Sequence, residues 1–153
     1  MRNLIAAGLP VLAVVKPGDF PLADMLEQEG CDVTMFAHAS RGMGASLAHG
    51  IGQRRGAAGW IIALADMPSI TSNTIKAVVR ELEAGRDLVA PVYQGQRGHP
   101  VGLSKRFGAQ LAALDGDAGA RDIIGAHKSE LTLIECDDPG VLQDIDRRED
   151  LAK

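Results

Sequence analysis

Short apolar runs alternate with stretches of helical spacing along this chain. Val11-Leu12-Ala13-Val14-Val15 is continuously apolar and stops at Lys16-Pro17-Gly18-Asp19, which predicts a short buried strand ended by a turn. Upstream, Leu4 to Ala7 reads as the last turn of a helix, with Gly8 at the left-handed position after it. From Phe20 to Glu29 the apolar residues Leu22, Met25 and Leu26 recur at helical spacing, and Gly30 closes that helix. Cys31 to Ala37 predicts a second strand. A strand–helix–strand crossover of this length implies that the two strands are parallel.

The run Trp60-Ile61-Ile62-Ala63-Leu64-Ala65 predicts a strand buried on both faces, as in a parallel sheet. It ends at Asp66, and Met67-Pro68 then turns the chain, because a residue before proline avoids the helical region. Thr71 is the expected N-cap of a helix to about Ala84, with Ile75, Val78, Val79 and Leu82 on its buried face. Asp87 to Tyr93 reads as a fourth strand, Gln94 to Gly98 as a turn, and His99 to Leu103 as the return of a hairpin-like excursion. Ser104 is expected to cap a helix reaching about Leu114. A second glycine-rich turn, 115–121, then enters a helix with Asp117 as its N-cap. Leu131 to Cys136 is the last strand. The pattern predicts a single α/β domain over residues 1–153, without repeats or linkers.

Composition narrows the classes of function. A length of 153 residues with 46% hydrophobic and 24% charged content is that of one globular domain. A net charge of −4 and only 3% aromatic residues offer neither a basic stripe nor a stacking platform, so no nucleic-acid partner is expected. No apolar run approaches membrane-spanning length and no secretory signal is visible, so no membrane partner is expected. Cys31 and Cys136 are isolated, which argues against zinc and fits buried thiols in a cytoplasmic protein.

Candidate chemistry clusters at the predicted strand ends. Asp66 sits at the C-terminal end of its strand, where open α/β sheets bind ligands. It reads either as a metal ligand facing a phosphate or as an Asp that caps its turn. Gly42, Met43 and Ser46 lie where a glycine-containing loop enters a helix after a strand. Exposed amides there make an anion or nucleotide site, although the glycines also serve tight helix–sheet packing. Arg97 and His99 are the chemical candidates of the hairpin. Arg121 either contacts a phosphate or pairs with Asp117 or Asp122. Asp144 and Asp146 face one side if their segment is extended, or form a solvated acidic turn.

Taken in order, these stretches resemble the MobA-like nucleotidyltransferase family, and most closely its molybdenum cofactor cytidylyltransferase branch. The matching stretches are Gly42-Met43-Gly44-Ala45-Ser46-Leu47 with Gly50, Leu64-Ala65-Asp66-Met67-Pro68, and residues 91–101 with Arg97-Gly98-His99-Pro100. Gly116 to Arg121 and Gly140 to Asp146 with Glu149-Asp150-Leu151 complete the series. The resemblance implies a mostly parallel, Rossmann-like three-layer sandwich of the nucleotide-diphospho-sugar transferase type. It implies transfer of CMP from CTP to molybdopterin with release of pyrophosphate, dependent on Mg2+. Carried over, Asp66 and Asp146 become the catalytic metal ligands, with Asp144 as the alternative to Asp146. Gly42, Met43, Ser46 and Asp66 lie near the nucleotide, and Arg97, His99 and Arg121 lie toward the acceptor.

Two departures from the family pattern carry expectations of their own. Ile5-Ala6-Ala7-Gly8 is followed by Leu9-Pro10-Val11, not by the Arg and Lys of the family's phosphate loop, so the first strand and loop of the family are missing. The strands at 11–15 and 60–65 then either close up on each other or leave an edge that a second copy covers in a homo-oligomer. The family's Thr-Pro after the final Asp is replaced by Arg147-Arg148. A chain of this kind is expected to be weak or inactive in turnover. Two alternatives stand beside cytidylyl transfer: a non-catalytic relic that binds nucleotide or a partner, and a transferase using GTP or a sugar-phosphate acceptor.

Overall fold

The computed structural model describes residues 1–145. Helix α1 (Arg2–Ala6) leads through Gly8, at φ 87°, to strand β1 (Leu12–Val15). Helix α2 (Phe20–Gln28) ends at Gly30, also at positive φ, and β2 (Asp32–Met35) follows. β1 and β2 pair in parallel, Leu12 opposite Asp32 and Val15 opposite Met35, as the crossover requires. Helix α3 (Met43–Gln53), β3 (Gly59–Ile62), α4 (Ser72–Glu83) and β4 (Leu88–Tyr93) come next. They are followed by β5 (Gln96–Arg97), β6 (Val101–Ser104), α5 (Gly108–Ala112), α6 (Arg121–Ala126) and β7 (Leu131–Glu135).

The strands form two sheets. β1 and β2 make one, and β3, β6, β4, β5 and β7 make the other. The larger sheet is mixed: β6 runs antiparallel to both β3 and β4, whereas β7 runs parallel to β4. This corrects the expectation of a mostly parallel sheet. The return from the 94–98 turn enters the sheet as a full strand between β3 and β4, which local periodicity does not encode.

Burial follows from this topology. β4, with partners on both sides, has Leu88, Val89 and Ala90 fully buried. Leu88 and Ala90 join Val101, Leu103, Phe107, Leu111 and Ile124 in the main core. Among the described residues β3 instead pairs only with β6, and it is half-buried along its length, with Ala63 and Ala65 exposed beyond it. The expected strand buried on both faces is therefore a shorter edge strand. Among the described residues β1 and β3 do not pair, so they do not close up on each other.

Local signals account for the turns. Thr71 caps α4, its hydroxyl accepting from the Thr74 amide, as its residue type predicts. Gln94 and Gly95 both take positive φ, 50° and 78°, the backbone of a tight two-residue hairpin joining β4 to β5. The single helix expected after Ser104 is instead a 3-10 turn, Lys105–Phe107, followed by the short α5. Ser104 does cap that turn, accepting from the Arg106 amide. Asp117 is not the N-cap expected of it: α6 begins at Arg121 behind Ala120, with no side-chain cap.

Phe107 is fully buried at the centre of the main core. Phe107→Ala is expected to cost about 3–5 kcal/mol. A urea-denaturation midpoint unchanged from the wild type would contradict this placement.

Candidate active site

The site is built on the loop that follows β3. Asp66 is exposed on this loop, and among the described residues its carboxylate has no hydrogen-bonding partner. Met67 and Ile70, buried on either side of the turn, anchor the loop in a second core cluster with Ile75 and Val141. Asn3 of α1 adds a polar tie, donating to the carbonyls of Ile70 at 2.7 Å and Pro68 at 3.2 Å.

The segment after β7 brings the second acidic position to this loop. A 3-10 turn, Pro139–Leu142, inserts between the Asp66 loop and the His99 turn. On one side a Cβ at Gly140 would lie 2.4 Å from the Ser69 carbonyl oxygen, so only glycine allows the approach. On the other, a Cβ at Gly98 would lie 2.4 Å from the Val141 carbonyl oxygen, which also accepts from the His99 amide at 2.9 Å. The Ile145 amide then donates to the Asp66 carbonyl at 2.8 Å. Asp144, exposed and without a hydrogen-bonding partner among the described residues, is therefore one residue from a backbone bond to Asp66. Asp146 lies outside the described residues.

His99 flanks this acidic group. Its Nδ1 is buried without a partner, and its peptide bond to Pro100 is cis. Burial pushes its pKa below the ordinary value; the Arg97 cation lowers it further, and Asp66 opposes both. His99 is thus a neutral ring at neutral pH. Arg97 is exposed on β5.

Gly42, Met43, Ser46 and Arg121 belong to a second group. Gly42, at φ 118°, and Gly44 let the turn 115–117 approach closely: an added Cβ would lie 2.2 Å from Asp117 Oδ1 at Gly42 and 2.9 Å from the Asp115 carbonyl oxygen at Gly44. The Gly44 amide, at the start of α3, donates to the Gly116 carbonyl at 2.7 Å. Ser46 turns its hydroxyl back onto the Gly42 carbonyl. Met43 lies over Gly119 yet remains 51% exposed, so it is the part of this loop most open to a ligand. Arg41 and Asp115 lock the two glycine-rich turns together with a two-pronged ion pair. Arg121 opens α6 beside them, exposed and without an ion-pair partner among the described residues.

Two residues that sequence reasoning passed over organise the site. Asp138 is 5% exposed and receives hydrogen bonds from both the Asp66 loop and its own turn. Thr74, also buried, donates to it. The signal for Asp138 was its place before Pro139-Gly140, a pattern that favours side-chain capping of a turn.

A surface concavity of about 600 Å3 lies elsewhere, lined by Leu12, Glu27, Asp32, Thr34, Gln53 and Arg54. Leu12 and Asp32 begin their strands, so this hollow sits at the strand starts, away from Asp66. No helix among the described residues is long and apolar enough to cross a membrane.

Comparison with known proteins gives this geometry a context. A family model described as the MobA-like NTP transferase domain matches residues 1–131. No curated protein matches the chain. Among solved structures, the Rv0371c protein of Mycobacterium tuberculosis is similar at 20% identity and a TM-score of 0.79, covering 99% of this chain and 79% of its own. A manganese complex of that protein aligns at a TM-score of 0.75 and 20% identity, covering 98% of this chain and 80% of its own. A nucleotidyl transferase from Methanothermobacter thermautotrophicus aligns at a TM-score of 0.79 and 16% identity, covering 99% of this chain and 74% of its own.

Because the folded pKa of His99 is depressed, the unfolded chain takes up a proton below about pH 6.5 before the folded chain does. Stability is therefore expected to fall as pH drops from 6.5 toward the folded pKa. His99→Gln should flatten that part of the profile in urea denaturations from pH 7 to 5. Identical slopes for the two proteins would show that burial does not hold the ring neutral.

Proposed function

The chain belongs to the MobA-like NTP transferase domain family, and on that premise we propose that it transfers CMP from CTP to the terminal phosphate of molybdopterin, releasing pyrophosphate. The observation that carries the reading is the 2.8 Å hydrogen bond from the Ile145 amide to the Asp66 carbonyl. It draws the closing acidic segment against the aspartate on the loop after β3. The same reading takes the mixed α/β fold as the family's Rossmann-like three-layer sandwich, in a cytoplasmic protein.

The donor set fits a hard divalent cation. Mg2+ prefers oxygen ligands, takes few protein carboxylates and leaves positions for water and phosphate. Asp66 and Asp144 are exposed oxygen donors without hydrogen-bonding partners among the described residues, on segments joined by backbone. Asp66 and Asp146 would hold the ion, with Asp144 as the alternative second ligand. The manganese complex of the similar Mycobacterium tuberculosis protein supports a divalent ion of this class. When bound, the ion supplies charge neutralisation at the α-phosphate.

The chain's own residues do the rest by placement. The attacking group is already a phosphate anion, so no general base has to remove a proton. His99, held neutral, offers a ring nitrogen to a hydrogen bond without adding charge. Arg97 and Arg121 are exposed cations suited to the acceptor and its phosphate. Gly42, Met43 and Ser46 border the nucleotide, with Met43 presenting its exposed side chain. The edges of β1 and β3 that lack a strand neighbour among the described residues support a homo-oligomer in which a second copy covers them.

Calorimetric titration with CTP and GTP, with and without Mg2+, is the test. Mg2+-dependent binding of CTP in preference to GTP is expected. Asp66→Ala should abolish the Mg2+-dependent part and leave the unfolding midpoint near that of the wild type, since Asp66 is exposed. Undiminished Mg2+-dependent binding in Asp66→Ala would remove Asp66 from the site.

A further inference from the structure

We propose that Asp138 is a positioning residue: its buried carboxylate fixes the closing acidic segment to the loop that carries Asp66. The inference rests on the reading of those two segments as the metal–nucleotide site.

Asp138 is a hub between two stretches distant in sequence. Its Oδ2 accepts from the Thr71 amide at 2.9 Å, the Thr71 hydroxyl at 2.9 Å and the Thr74 hydroxyl at 2.6 Å. Its Oδ1 accepts from the Gly140 amide at 3.1 Å. Those donors satisfy the buried carboxylate from both sides. Asp138 therefore acts through its neighbours and is not itself a ligand for metal or substrate.

The hub is more than a helix cap. Thr71 already caps α4 through its own hydroxyl. The carboxylate also receives the turn that starts the return of the chain to Asp66. Gly140 is pressed against the Ser69 carbonyl, Val141 is fully buried, and the segment ends on the Asp66 carbonyl through the Ile145 amide. Holding the chain at Asp138 and again at Ile145 leaves Asp144 little room to move relative to Asp66. A carboxylate pair that binds a cation needs such fixed spacing, because ligand positions must be set before the ion arrives.

Asp138→Asn tests this with little change of volume. One carboxylate oxygen becomes an amide that faces donors, so the hub opens. Amide hydrogen exchange by NMR should show the Ile145 amide exchanging faster, while the amides of β4 keep wild-type protection. The Mg2+-dependent component of CTP binding should weaken roughly tenfold, the equivalent of about 1.4 kcal/mol. If Asp138→Asn does not fold, Thr74→Val removes one donor at nearly constant shape. It should show the same two changes, and Thr74→Ser should restore both. Wild-type Ile145 exchange together with wild-type Mg2+ dependence in a folded variant would overturn the proposal. A wild-type chain that binds no Mg2+–CTP defeats the functional reading. Ile145 exchange then still separates a true clamp, faster in the variant, from a false one, unchanged.

Discussion

The candidate site depends on a backbone contact that only glycine permits. Gly140 sits against the Ser69 carbonyl and Gly98 against the Val141 carbonyl, so the turn 139–142 passes between two other loops without room for a Cβ on either flank. That passage brings the ends of β3, β4 and β7 to one place. It buries Val141, aligns the Ile145 amide with the Asp66 carbonyl and gives His99 its backbone partner. A larger side chain at either glycine would push the acidic segment away from Asp66, whatever the carboxylates themselves do.

Electrostatics and packing act together here. Asp138 is buried, which alone would raise its pKa, but hydrogen bonds from Thr74, Thr71 and Gly140 outweigh burial and hold it below the usual carboxylate range. Asp144, a short way along the chain, and Asp66, across the contact from it, are exposed. One fold thus uses a satisfied buried carboxylate to place exposed ones. The second glycine-rich region works differently: Gly42 and Gly44 admit the 115–117 turn, and Arg41 ties the two to Asp115. In the function proposed above, both regions serve one nucleoside triphosphate.

What the sequence made legible was mostly local. Thr71 at the start of α4, Gly8 and Gly30 after their helices, and the parallel β1–β2 unit follow from residue type and spacing. What it hid was long-range. The insertion of β6 antiparallel between β3 and β4 depends on pairings such as Trp60 with Leu103, which no local period encodes. The apolar run at 60–65 implied burial on both faces, yet among the described residues β3 has a strand neighbour on one side only. Asp117 has the residue type of an N-cap, but it packs against Gly42 and leaves α6 uncapped. At the candidate site, Asp66 stood out because an apolar run ends on it. Asp138 did not, because its partners Thr71 and Thr74 are far away in sequence.

In the proposed function a divalent ion and a nucleotide meet at Asp66 and the acidic segment bonded to it. Paramagnetic broadening of backbone amide signals on addition of Mn2+ with CTP tests it most directly. Broadening is expected at Asp66 and at Gln143 to Ile145, with the signals of Leu12, Asp32 and Arg54 around the other hollow left sharp. Broadening centred on that hollow, or none around Asp66, would contradict it.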